Sequence, residues 1–129
     1  MTVRINYLDG GIGIELIASG IVSGDEVLEA HKEIYNEENL HRQRYRIIDR
    51  TSCDYYCVRP EEIEQIAELD INAAKINPNI VIALVSATDL QNDMARIWQI
   101  YVEKSPLATR IFRDRQSAVA WIKEQLSET

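Results

Sequence analysis

YRIIDRTSCDYYCV, residues 45–58, stands directly before Arg59-Pro60. Tyr45, Ile47 and Ile48 suit a pleated, half-buried strand, and the polar residues from Asp49 onward predict that this strand ends there and opens into a loop. Pro60 suits the first position of a helix, where its missing N–H costs nothing. A strand, a polar loop and a helix make half of a parallel β-α-β unit. In open α/β sheets, ligands and partners dock outside the carboxyl ends of the strands. Residues 49–59 are therefore the first place to seek function.

Downstream, Ile63, Ile66, Ala67, Ala73 and Ala74 recur at helical spacing, with Glu61, Glu64, Glu68 and Lys75 on the opposite side. The helix should stop before the breaker cluster Asn77-Pro78-Asn79. Ile80 to Val85, IVIALV, is a continuous apolar run, the pattern of a central strand buried on both faces of a parallel sheet. Thr88 with Gln91 forms a capping-box pattern, and Leu90, Met94, Ile97, Trp98 and Tyr101 predict the inner face of a third helix. Pro106 marks its exit, Thr109 to Arg113 a last strand, and Asp114 the cap of a final helix with Ala118, Trp121, Ile122 and Leu126 inward. Upstream, Val3, Ile5 and Tyr7 alternate with polar residues, Asp9-Gly10-Gly11 is turn chemistry, and Ile12 to Ser19 predicts a second strand broken by Gly20. Ser23 and Glu26 begin a helix whose stripe is Val27, Leu28, Ala30, Ile34 and Tyr35, ending near Asn36. Glu37 to Gln43 reads as a polar connection. The order is ββαβαβαβα. It predicts one α/β domain over residues 1–129, with a mostly parallel five-stranded sheet, an N-terminal β-hairpin and four helices.

A domain of 129 residues buries enough surface for a core without disulfide or metal staples. With 21 acidic and 14 basic side chains the net charge is −7, which disfavours nucleic acid and anionic lipid as partners. No apolar run is long enough to span a membrane, and residues 1–6 lack the charged head and apolar centre of a signal peptide. The expected location is the cytoplasm, where Cys53 and Cys57 stay reduced.

Four metal-ligating side chains exist in Cys53, Cys57, His31 and His41, but the cysteine spacing is not that of a common zinc knuckle, and no metal or other cofactor is expected. A nucleophilic cysteine assisted by His31 would need the two within hydrogen-bond reach. No catalytic signature occurs in the sequence, and the Gly10-Gly11 pair belongs to a hairpin, not a phosphate loop. His31 lies at the centre of the first helix's apolar stripe and Asp70 at the centre of the second's, so the two are candidates for a buried polar pair of structural character. His41, Arg42, Arg44, Arg46 and Arg50 form a basic cluster whose expected role is to neutralise Glu37, Glu38 and Asp49 at the surface. Tyr55 and Tyr56 would offer large contact area from an exposed loop, and the first turn of the helix after Pro60 would offer free N–H groups to an acidic partner. Ile100 falls off the main stripe of its helix, which makes a homodimer the oligomer to test.

The chain resembles the SpoIIAA-like proteins of the STAS superfamily, including those described as STAS/Sec14-like. The carriers are Ser19-Gly20-Ile21-Val22 leading into a capped helix, Tyr45-Arg46-Ile47-Ile48-Asp49, and Phe112-Arg113-Asp114 followed by Ala118 and Trp121-Ile122. The resemblance implies function by protein docking at the loop and helix after the third strand. In anti-anti-sigma members that loop carries a phosphorylatable serine beside a glycine. Asp49 matches the acid that opens the loop, but Cys57-Val58-Arg59 occupies the serine's place, and Ser52 and Thr51 lie too early. The resulting expectation is a non-enzymatic docking or regulatory domain without a phosphoswitch, whose protein partner is contacted by Asp49, Arg50, Ser52, Cys53, Tyr55, Tyr56, Cys57 and Arg59. The alternative, implied by the Sec14-like relatives, is a small apolar ligand or lipid held between the third helix and the sheet near Met94 and Trp98.

Overall fold

Residues 2–127 are described in a computed structural model of the chain. The alternating stretch Val3–Leu8 forms β1 and runs antiparallel to β2, Gly13–Ser23, with Val3 opposite Ala18 and Leu8 opposite Gly13. Asp9, Gly10 and Gly11 close the hairpin with positive φ at each position, a conformation glycine adopts without a Cβ clash. The other pairings are parallel: β2 with β3 (Tyr45–Cys57), β3 with β4 (Val81–Val85), and β4 with β5 (Ala108–Phe112). Spatial order therefore equals chain order, β1-β2-β3-β4-β5.

The crossovers are α1 (Gly24–Ile34) with a short α2 (Glu37–Leu40), then α3 (Pro60–Ile76) and α4 (Asp89–Val102), while α5 (Arg115–Ser127) follows β5. α1, α3 and α4 pack on one face of the sheet, over Ile14, Leu16, Ile82 and Leu84. α5 packs on the other, setting Ala118 and Ile122 on Tyr45, Ile47, Val81, Ala83 and Val85. The helix starts follow their caps: Ser23 and Glu26 bond reciprocally, Thr88 Oγ1 accepts from the Gln91 N–H (3.1 Å), and Asp114 Oδ1 accepts from the Ser117 N–H (2.7 Å).

The fold is the expected α/β domain with a mixed sheet, and several local expectations are corrected. The described residues form five α-helices, not four, because Asn36 caps a turn inside the polar connection and Leu40 is buried beneath it. β4 is interior and buried throughout, but the middle strand is β3. Leu90 is 68% exposed and Ile97 also faces outward, since Gln91, Ala95, Trp98 and Val102 form the inner stripe of α4. Gly20, at φ 67°, lies within β2 rather than ending it, and the extra residue at the register shift beside it is on β3. Most consequentially, residues 49–57 are strand and not loop. Among the described residues, no helix is long and apolar enough to cross a membrane.

Candidate functional site

β4 ends at Val85, paired with Asp49, but β3 continues for eight residues and stays paired with β2 as far as Ser23 opposite Cys57. Two register shifts give β3 extra residues against β2 along this stretch. The result is a two-stranded parallel ribbon beyond the carboxyl end of β4. Ribbon geometry splits the tyrosine pair. Tyr56, beside buried Val22, packs inward against the core, whereas Tyr55 and its register partner Ile21 are 67% and 63% exposed. The expectation of two loop tyrosines is corrected accordingly.

The other expected contact residues divide in the same way. Ser52, Cys57 and Arg59 are exposed; Asp49, Arg50 and Cys53 are buried. Asp49 accepts from the Thr51 N–H (2.9 Å) and hydroxyl (2.7 Å) and meets Arg115 at 3.4 Å, and Arg115 also pairs with Glu15. Cys53 is a free thiol whose pKa burial raises, and its carbonyl accepts from the Gln91 amide at 3.4 Å. At the start of α3, Glu62 accepts from the Arg59 N–H (2.9 Å) and Nε (3.1 Å), and Glu61 adds a second carboxylate to that turn. Both carboxylates pair with Arg59, at 3.4 Å for Glu61 and 3.1 Å for Glu62.

Arg46, Ile48 and Arg50 occupy alternate positions of β3 and face α1, α3 and α4. Neither arginine serves the surface neutralisation expected of the basic cluster. Arg46, fully buried, donates to Asp70 Oδ1 at 3.2 Å and lies 4.8 Å from the Tyr35 ring centre. Asp70 also accepts from the Tyr35 hydroxyl and from the Trp98 indole N–H at 2.7 Å, so one carboxylate ties α1, β3, α3 and α4 together. Burial raises the Tyr35 pKa well above its ordinary value, which keeps the phenol a donor. His31 Nε2 stands 3.8 Å from Asp70 Oδ1, beyond hydrogen-bond range. Its Nδ1 lies 2.8 Å from the Val27 carbonyl, so the neutral ring carries its proton there. Burial holds the His31 pKa below 6.5, against the opposing pull of Asp70.

A cavity of about 40 Å³ lies between the inner surface of α4 and the sheet, walled by Ile48, Leu84, Met94 and Trp98, with His31 and Arg50 at its edge. Arg50 is only 2% exposed. It donates to Ser86 Oγ at 2.6 Å and lies 5.1 Å from the Tyr56 ring centre, yet its Nε has no hydrogen-bond partner and no carboxylate forms an ion pair with it among the described residues. The sequence pattern places Arg50 in a surface cluster and a contact loop, not at a chamber. The signal for its buried place was the two-residue spacing of Arg46, Ile48 and Arg50, which sends both arginines to the helix-covered face.

Among the described residues, no group of three or more His, Cys, Asp or Glu side chains is arranged to hold a metal ion. Cys57 is exposed whereas His31 is buried in the core.

No family model and no curated protein matches the chain. Among solved structures it is similar to an uncharacterised protein of the DUF3478 family from Shewanella loihica PV-4, which has a SpoIIAA-like fold. The two share 16% sequence identity over 93% of this chain and 91% of that one, with a TM-score of 0.54. The likeness establishes a SpoIIAA-like fold for this chain.

Proposed function

We propose that the protein is a non-enzymatic docking module that engages a partner protein through the ribbon formed by the ends of β2 and β3. One observation carries this reading: Ile21 and Tyr55 are side by side in register and both more than half exposed, at the carboxyl end of a largely parallel sheet, the usual site of recognition in such folds. Tyrosine brings large contact area at low entropic cost and is enriched among interface residues that dominate affinity. Beyond Asp49 and Ala18 the ribbon is flanked by no further strand among the described residues. Cys57-Val58-Arg59 offers no serine for a phosphoswitch.

Affinity capture from the native host tests this. Tyr55→Ala and Ile21→Ser should each weaken capture by about 2 kcal/mol, roughly thirtyfold, with the melting temperature nearly unchanged. Undiminished capture by both folded variants would refute the assignment.

A second reading, binding of a small ligand between α4 and the sheet, is favoured by the cavity beneath Met94 and Trp98. Its walls are apolar, and Met94 is a flexible side chain able to adjust to an occupant.

A further inference from the structure

Among the described residues four carboxylates are buried, and each has an arginine. Glu15 and Asp49 meet Arg115, Glu62 meets Arg59, and Asp70 meets Arg46. Arg50 is the buried arginine left over. Its hydrogen bonds go to neutral hydroxyls, Ser86 Oγ and the Tyr56 phenol, and its Nε is unpartnered while its side chain lines the apolar chamber. Neither neighbouring acid supplies the missing charge, because burial raises the pKa values of both the Tyr56 phenol and the Cys53 thiol and keeps them neutral. A guanidinium cannot shed its own proton to escape the problem. A water molecule in the chamber would satisfy the Nε–H but leave the positive charge uncompensated. Only an anion does both.

We propose that the chamber beneath α4 binds a short-chain monocarboxylate, its carboxylate on the Arg50 guanidinium and its few carbons against Ile48, Leu84, Met94 and Trp98. The inference rests on the small-ligand reading and names the ligand class. Guanidinium is the side chain best shaped for a carboxylate. Size sets the chain length: about 40 Å³ admits roughly three or four water-sized groups, which excludes a long acyl tail. Asp70 does not compete for the same cation, since its oxygens are engaged by Arg46, Tyr35 and Trp98. With so few atoms in contact, affinity should fall in the millimolar range.

The test is NMR titration of the ¹⁵N-labelled protein at constant ionic strength, following the Trp98 indole and Arg50 Nε resonances. Propionate should shift both saturably, while its neutral counterpart propionamide and the long-chain octanoate should each bind at least tenfold more weakly. Arg50→Met should abolish the propionate response while leaving the bulk of the spectrum folded. If that variant fails to fold, the wild-type comparison of propionate with propionamide decides. Equal binding of propionate and propionamide would leave the apolar pocket standing and overturn the charge pairing. Octanoate binding as well as propionate would overturn the short-chain limit, and chloride displacing propionate at equal concentration would overturn the carboxylate class. No saturable shift from any of these compounds at tens of millimolar would overturn the ligand site altogether.

Discussion

Asp70 is the residue on which the helical side of the core is most dependent. Its carboxylate balances buried Arg46 and accepts from Tyr35 and Trp98, so Asp70→Asn leaves a buried guanidinium unpaired. Removing one partner of a buried ion pair costs about 3–5 kcal/mol, a large share of the roughly 5–15 kcal/mol that holds a domain folded. Chemical denaturation should show that loss, and a change below about 1 kcal/mol would mean Arg46 is not dependent on the pair. His31 contributes a pH dependence of definite sign. Its folded pKa lies below the ordinary 6.5 because burial disfavours the cation. Below that value the unfolded chain binds the proton more readily, so stability is fully present above 6.5 and is lost as pH falls through the lower folded value. Arg46, Asp70 and Tyr35 surround the ring, and His31→Gln isolates its share. The variant should flatten the drop in denaturation midpoint between about pH 7 and about pH 5; an unchanged slope would assign the drop to other groups. The tyrosines separate in the same manner: Tyr56→Ala, which uncovers Arg50 and opens the core, should lower stability by about 2–4 kcal/mol, whereas Tyr55→Ala should scarcely change it.

At the scale of elements, the ribbon passes through a register shift, where β3 carries the extra residue, beside Gly20. At φ 67° a side chain costs about 1–2 kcal/mol, although the space beyond the Cα is open. Gly20→Val should therefore lower stability by about that amount and weaken partner capture, because the left-handed backbone at Gly20 positions the adjacent Ile21; capture equal to wild type would separate that conformation from docking. The order of elements was legible because its signals are local: the Ser23–Glu26 and Thr88–Gln91 caps, Pro60, and the IVIALV run each fix an element within a few residues. The β3 extension was not legible. Its exposed residues Thr51, Ser52 and Asp54 are polar, and its bulges break the two-residue alternation that marks a strand, so a paired ribbon has the composition of a loop. α2 was hidden for a related reason, since one turn buries only Leu40 and its acids look like a linker. The phase of α4 was misjudged because Leu90 and Gln91 are adjacent and periodicity alone does not show that the amide, bonded to the Ala87 N–H and the Cys53 carbonyl, takes the inward place. The Arg50 chamber is lined by residues of four strands and three helices, a meeting that no local pattern encodes.

For the whole molecule, the two faces of the sheet are covered by helices, and exposed apolar side chains include those of the carboxyl-end ribbon and of the outer side of α4. Ile97 and Ile100, one turn apart on α4, are both exposed, and a two-fold contact through them would bury this strip. Light scattering at high micromolar concentration should then show a dimer that Ile100→Glu dissociates, and a monomeric wild type would remove that surface from consideration. The net charge of −7 turns the docking partner's complement toward neutral or basic surfaces, so capture should weaken with added salt. The central claim, that the ribbon and not another surface meets the partner, is tested most directly by placing a photo-cross-linking amino acid at position 55 and, as a control, at Lys75 at the opposite end of α3. Irradiation in the native host should give a discrete adduct from position 55 and none from position 75; an adduct from position 75 with none from position 55 would contradict the account.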